Sequence, residues 1–137
     1  MKKLNIIAVY DSKEQNILFC YRKKEPYKGL YNLVGGKVED GEDNLEAAYR
    51  ELEEETAITK KDIELKPIVT FYYYFSDIEL QAYVGKLNKE VSLVEEVNHL
   101  EWFSVNEDFL DMKKFAGEGN IFHIIEQIKI YHQQIFK

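Results

Sequence analysis

Residues 36–58 read GKVEDGEDNLEAAYRELEEETAI, and the rest of the chain is organised around them. Gly35 and Gly36 follow a short apolar run, so the backbone turns tightly before a helix begins. The polar segment Glu39-Asp40-Gly41-Glu42-Asp43 supplies the turn. Either Asp43 or Asn44 can cap the helix, because both side chains carry an oxygen that accepts from the first free N–H groups. From Leu45 the apolar residues fall at Leu45, Ala48, Tyr49 and Leu52, the i, i+3, i+4, i+7 spacing of one buried stripe. At about 100° per residue, Glu51, Glu54 and Glu55 share roughly a quarter to a third of the circumference, away from that stripe.

Three carboxylates at i, i+3 and i+4 repel one another and weaken a helix unless something neutralises them. One reading is a solvated acidic face with Arg50 and Glu54 as an i, i+4 ion pair. The other is a site for a hard divalent cation, since Mg²⁺ takes oxygen ligands and is held by a few carboxylates plus substrate phosphates. The pattern over the whole segment separates the two. It resembles the Nudix box, G-x5-E-x7-R-E-U-x-E-E-x-G-U with U aliphatic: Gly36, Glu42, Arg50, Glu51, Leu52, Glu54, Glu55 and Ile58 all fall at the required places. The one departure is Ala57, where the family usually has glycine. Glycine there suits a left-handed residue at the helix end, so Ala57 suggests a different exit geometry, which need not touch the chemistry.

The resemblance implies an α+β fold of the Nudix type, an α/β/α sandwich in which a mixed β-sheet is flanked by the box helix and a C-terminal helix. It implies Glu51, Glu54 and Glu55 as the group that binds metal and activates water, with Glu51 either a ligand or the base. Arg50 would orient the glutamates through charge-assisted hydrogen bonds, and Gly36 would offer its carbonyl to a metal. Glu42 is implied as a supporting carboxylate. The cofactor implied is Mg²⁺, with Mn²⁺ as a substitute. Relatives often recruit a further carboxylate from the loop before an aromatic-bearing strand. Here Glu95-Glu96 precede Trp102, and Glu96 is the expected ligand, weighed evenly against an ordinary charged loop.

At 137 residues the chain is expected to be one domain, 1–137, with a single core. Hydrophobic content of 45% fits a globular protein. The 25 acidic residues against 18 basic ones, net −7, argue against a nucleic-acid surface, although several of the acids lie in the box itself. The single cysteine, Cys20, has no internal partner, which fits a reducing compartment. Met1-Lys2-Lys3 precedes an apolar run interrupted by Asn5 and Asp11, with no small-residue cleavage site, and reads as a first strand rather than a signal peptide. No run is long enough to span a membrane. A cytoplasmic location is the expectation, with a small-molecule nucleotide as partner and either a monomer or a homodimer as the assembly.

Residues 4–10 (LNIIAVY) and 16–22 (NILFCYR) are β-type runs joined by a polar turn, and read as a hairpin. Residues 62–75 are mostly apolar and aromatic, a long strand with a bulge or bend at Pro67. Ser76-Asp77 turns it into residues 78–86, its antiparallel partner. Residues 86–98 form a charged connection and 100–104 (LEWFS) a short strand. Residues 105–112 read as a short helix and 116–120 as a glycine-containing loop. The last element, residues 121–136, places Ile121, Ile124, Ile125, Ile128, Tyr131 and Ile135 on one core-packing face.

The substrate is less legible. Arg22, Lys23, Lys24, Lys28 and Lys37 lie on or near the loop entering the box, where a polyphosphate would meet them. Arg22 and Lys37 are the candidates, and Lys24 and Lys28 read as solubilising charge. Asn32 sits in YNLVGGK, similar to the WN-x-x-GGK entry of nucleotide-pool-cleaning members, where the asparagine touches an oxidised guanine. Asn120 is similar in place to a purine-reading asparagine of MutT-type enzymes, but the reading as N-cap of the last helix is favoured. Within Phe71-Tyr72-Tyr73-Tyr74-Phe75, alternate residues face opposite sides of a strand, one set core and the other pocket. Tyr74 stands about where relatives that cleave dinucleoside polyphosphates carry a tyrosine. Pro67 comes too early for the proline of ADP-ribose hydrolases, and no coenzyme A signature is present. The leading expectation is a Mg²⁺-dependent Nudix hydrolase that converts a nucleoside triphosphate, such as an oxidised purine deoxynucleotide (8-oxo-dGTP), to monophosphate and pyrophosphate. The alternatives are a hydrolase of dinucleoside polyphosphates or other nucleoside diphosphate derivatives, and a non-catalytic nucleotide sensor.

Overall fold

Ile6 to Tyr10 are all buried, so the first strand, β1 (Lys2–Tyr10), is covered on both faces and belongs inside a sheet. In the computed structural model, which describes residues 1–96 and 98–137, it lies there. On one side β1 pairs in parallel with β5 (Ile78–Lys86), and on the other it pairs antiparallel with β3 (Tyr31–Lys37). β4 (Lys66–Tyr73), β2 (Asn16–Tyr21) and β6 (Leu100–Ser104) complete a mixed six-stranded sheet of order β4-β5-β1-β3-β2-β6. Strand alternation then divides the core. Ile7, Val9, Leu18 and Val34 pack with Ala48 and Leu52 of α1 (Asn44–Thr56). Ile6, Ala8, Phe19 and Leu33 pack with Ile121, Ile124, Ile125 and Ile128 of α2 (Asn120–Ile130). The two helices therefore cover opposite faces, the α/β/α sandwich expected.

Asp43 is the residue that caps α1, its carboxylate accepting from the N–H groups of Leu45 and Glu46 at 3.1 Å each. Leu45 and Tyr49 flank the buried Ala48 and Leu52, and the Tyr49 hydroxyl accepts from the Leu65 N–H at 2.9 Å. The exit of α1 corrects the expectation for Ala57. It adopts φ 67°, ψ 8°, the left-handed conformation that glycine would take, and its N–H closes the helix on the Glu53 carbonyl. The left-handed exit forms although the residue is not glycine. Thr56 fixes it, its hydroxyl donating to the Leu52 carbonyl at 2.7 Å and accepting from the Ile58 N–H at 3.1 Å.

Four other local readings are corrected. β1 and β2 are joined by a turn built on Asp11, yet they pair only at Tyr10 and Ile17, because β3 lies between them along most of their length. The strand expected over 62–75 is confined to β4, with a bulge between Pro67 and Val69 where proline has no N–H to give. Residues 105–112 form turns, since Ser104, Asp108 and Asp111 each accept an N–H two residues on and compete with helical bonds. The last helix breaks at Tyr131, and α3 (His132–Phe136) follows. Tyr131 is consequently 46% exposed instead of sharing the core face. The connection 87–99 is irregular as expected, and Val97 within it lies outside the described residues. No helix among the described residues is long and apolar enough to cross a membrane.

Candidate active site

The turn at Gly35-Gly36 is pressed between β1 and α1. A Cβ on Gly35 would lie 2.8 Å from the Ile6 Cα and 2.9 Å from the Asn5 carbonyl carbon, so only glycine fits. A Cβ on Gly36 would lie 2.6 Å from Glu51 Oε1: the Glu51 carboxylate fills the space of the missing side chain. The Gly35 N–H donates to Glu55 Oε1 at 3.1 Å. Two of the three box glutamates thus reach back from α1 onto the turn.

Arg50 ties the carboxylates together. Its Nε and Nη2 donate to Glu42 at 2.7 and 3.0 Å in a two-pronged pair. Its Nη1 donates to Glu51 at 3.0 Å and to Glu54 at 3.2 Å, and Nη2 also reaches the Lys37 carbonyl at 2.9 Å. This pairing holds the Glu42 carboxyl down at about 2 and raises the arginine further above its ordinary value. Burial pushes Glu51 upward against the pull of Arg50. Burial also pushes Glu55 up to about 7, aided by the neighbouring Glu51 and Glu54 charges and opposed by the Gly35 N–H and Arg22. Glu54 is the outward member, 59% exposed.

Beside the turn lies a cavity of about 850 Å³. Of the residues expected at the site, Gly36, Glu55, Arg22, Asn32, Lys37 and Asn120 line it. Asn32 Oδ1 accepts from the Leu33 N–H at 2.9 Å, and Arg22 Nε donates to the Pro26 carbonyl at 3.3 Å. Asn120 does not cap α2. Gly119 holds the cap position without a side-chain bond, and the Asn120 amide turns into the cavity, its Nδ2 3.5 Å from the Tyr73 hydroxyl. Tyr74 is not brought in. It follows β4 in a 3₁₀ turn, 76% exposed, and stacks on Tyr72 with ring centroids 6.2 Å apart. The cavity set of the aromatic run is Phe71 and Tyr73 instead. Glu96 lies exposed on the connection 87–99, which crosses the end of α1 where the Val94 N–H donates to the Thr56 carbonyl at 3.2 Å. Its neighbour Glu95 is engaged by the Leu100 N–H at 2.8 Å.

Two features escaped the sequence. Tyr27 donates to Glu118 at 2.6 Å across the cavity mouth, a contact between loops 91 residues apart that no local pattern announces. Asn5 is a buried amide on β1, visible beforehand only as a polar interruption of an apolar run. Cys20 also lines the cavity, but burial pushes its thiol up to about 12, which removes it as a nucleophile.

The donor set suits a hard divalent cation: carboxylate oxygens of Glu51 and Glu55 beside a glycine backbone that leaves room for them. Among the described residues, no three carboxylates converge as a finished metal cage. Arg50 Nη1 meanwhile holds Glu51 and Glu54 together, and its bond to Glu54 is exposed.

A family model for the NUDIX domain matches residues 2–123. The chain belongs to the NUDIX domain family. Within it, an ADP-ribose pyrophosphatase from Methanocaldococcus jannaschii is 47% identical over 49 residues, 36% of this chain and 29% of that protein. An RNA pyrophosphohydrolase from Pelagibacter ubique is 39% identical over 61 residues, 44% of this chain and 37% of its own length. The matches thus span about a third of each curated relative. The structure of a C. elegans Ap4A hydrolase in a binary complex superposes with a TM-score of 0.76 at 17% identity, covering 98% of this chain and 100% of that one. At that identity the likeness is one of fold, and it extends over the whole NUDIX domain.

Proposed function

We propose that this NUDIX domain is a Mg²⁺-dependent hydrolase of nucleoside triphosphates, releasing a monophosphate and pyrophosphate, with purine nucleotides, oxidised ones included, as the preferred class. The observation that carries the reading is the contact of Glu51 and Glu55 with the Gly35-Gly36 turn beside a cavity that also holds Asn32, Asn120, Phe71 and Tyr73. Carboxylates suit one end of a nucleotide's chemistry and amides with aromatic faces suit the other. The relatives are each named for cleavage of a nucleotide derivative, which supports the class without fixing the substrate.

Glu51, Glu54, Glu55, the Gly36 carbonyl and Glu96 are the residues that would hold divalent metal. When bound, Mg²⁺ neutralises phosphate oxygens and lowers the pKa of a water. Arg50 orients Glu51 and Glu54 until a ligand arrives, with Glu42 as its anchor. Glu51, raised by burial, is suited to take a proton from the attacking water. Arg22 and Lys37 meet the polyphosphate, and Asn32 and Asn120 read the base edge.

The test is turnover of a panel of triphosphates, dinucleotides and ADP-ribose with and without Mg²⁺, products identified, in wild type, Glu51→Gln and Glu54→Gln. Metal-dependent pyrophosphate release lost in both folded variants is expected, and near-wild-type turnover in both would sink the assignment. Asn32→Ala should raise KM for a purine triphosphate at least about tenfold, roughly one lost polar contact. A second reading, a dinucleoside polyphosphate substrate, rests on the exposed Tyr72–Tyr74 stack, where a second base has a platform. Nucleotide binding without hydrolysis of any panel member would mark a sensor.

A further inference from the structure

Asn5 is 1% exposed on the strand whose next five residues are all apolar or aromatic core. A buried amide destabilises a core unless both of its ends are paired. One end is. The Gly36 N–H lies 3.0 Å from Asn5, and since an N–H only donates, the facing atom is Oδ1. That leaves Nδ2 as a buried donor without a partner among the described residues, in a residue that borders the cavity.

Its surroundings indicate what it awaits. The two N–H groups of the glycine turn are divided: Gly35 gives to the Glu55 carboxylate and Gly36 to the Asn5 amide. Glu51, lodged against Gly36, receives neither of these two and is held instead by the Lys37 backbone N–H and the Arg50 guanidinium. Strand alternation puts Asn5 on the face of Ile7 and Val9, which is the α1 face and therefore the glutamate face. Phe71 belongs to the opposite core cluster, that of α2. A neutral donor among carboxylates complements an incoming anionic oxygen without adding to their repulsion.

We propose that Asn5 is a positioning and ligand-binding residue. Its Oδ1 fixes the Gly36 backbone against which the Glu51 carboxylate is lodged, and its Nδ2 donates to a phosphate oxygen of the bound nucleotide. This rests on the nucleotide reading above and extends it to a residue outside the box.

The test uses ¹⁵N-labelled wild-type protein with Mg²⁺ and, in separate arms, a purine triphosphate carrying an α,β-imido bridge, inorganic pyrophosphate, and the purine nucleoside alone. The Asn5 side-chain NH₂ resonances are expected to move with the triphosphate and pyrophosphate and to stay in place with the nucleoside. Movement of the Gly36 backbone resonance with an unmoved Asn5 side chain overturns the proposal while leaving nucleotide binding intact. A response to the nucleoside alone overturns the phosphate assignment. No movement anywhere removes the nucleotide reading and this one with it. In kinetics, Asn5→Asp keeps an acceptor for Gly36 and loses the donor. It should raise KM by roughly 10–100-fold, the size of a lost hydrogen bond to a charged group. A fall in Tm with KM unchanged in the folded fraction would make Asn5 structural only. The resonance arms need no variant, so they decide the matter even if Asn5→Asp does not fold.

Discussion

Replacing Glu55 by glutamine tests the strain stored in the glutamate face. In the metal-free protein the Glu55 carboxyl is pushed from 4.5 up to about 7, chiefly by burial. The folded state therefore holds this proton more tightly than the unfolded chain does. The resulting stability is complete below pH 4.5 and is lost as pH rises through about 7. At ~1.36 kcal/mol per pKa unit the unscreened loss is about 3–4 kcal/mol, and because Glu55 is only partly enclosed, solvent screening brings it to about 1–2 kcal/mol. Glutamine keeps the acceptor that the Gly35 N–H uses at 3.1 Å and removes the charge. In EDTA at pH 8, Glu55→Gln should be more stable than wild type by about 1–2 kcal/mol, seen as a Tm rise of about 3–8 °C. At pH 4.5 the two should converge. Urea unfolding across this pH range measures it, and Mg²⁺ at pH 8 should stabilise the wild type but not the variant. A variant no more stable than wild type at pH 8, or one with the same pH slope, would refute the reasoning.

Three further substitutions follow from particular contacts. Ala57→Gly should stabilise the protein by about 0.5–1 kcal/mol in thermal melts, since relief of about 1–2 kcal/mol of left-handed strain outweighs the added chain entropy. Arg50→Lys keeps the charge but cannot grip Glu42 with two prongs while reaching Glu51 and the Lys37 carbonyl. The expected outcome is a folded protein by circular dichroism with kcat lowered about 10–100-fold. Gly36→Ala meets only the movable end of Glu51, so it should fold and lose roughly 100-fold in turnover, whereas Gly35→Ala meets backbone and should unfold; Tm and kcat of the pair distinguish them.

The sandwich was legible because its signals are local and periodic. The stripe of α1, the isoleucines of α2 and the apolar run of β1 each state which face they bury. The box glutamates were legible because their spacing is fixed by one helix. What failed was whatever depends on a choice between nearly equal local partners. Ser104, Asp108 and Asp111 captured N–H groups that a helix over 105–112 needed. Asn120 stood where a cap belongs, yet Gly119 took the cap and freed its amide for the cavity. Tyr73 and Tyr74 differ by one position, and a short 3₁₀ turn sends the second outward. Asn5 and the Tyr27–Glu118 contact depend on strands and loops far apart in the chain, and a single sequence carries no record of that pairing.

The most direct measurement is the anomalous scattering of Mn²⁺ in crystals grown with a non-hydrolysable purine triphosphate. Manganese peaks bounded by Glu51, Glu54, Glu55 and the Gly36 carbonyl, with the triphosphate bridging them, are the predicted result. Nucleotide bound elsewhere, or the three glutamates left apart and facing bulk solvent with no manganese between them, would contradict it.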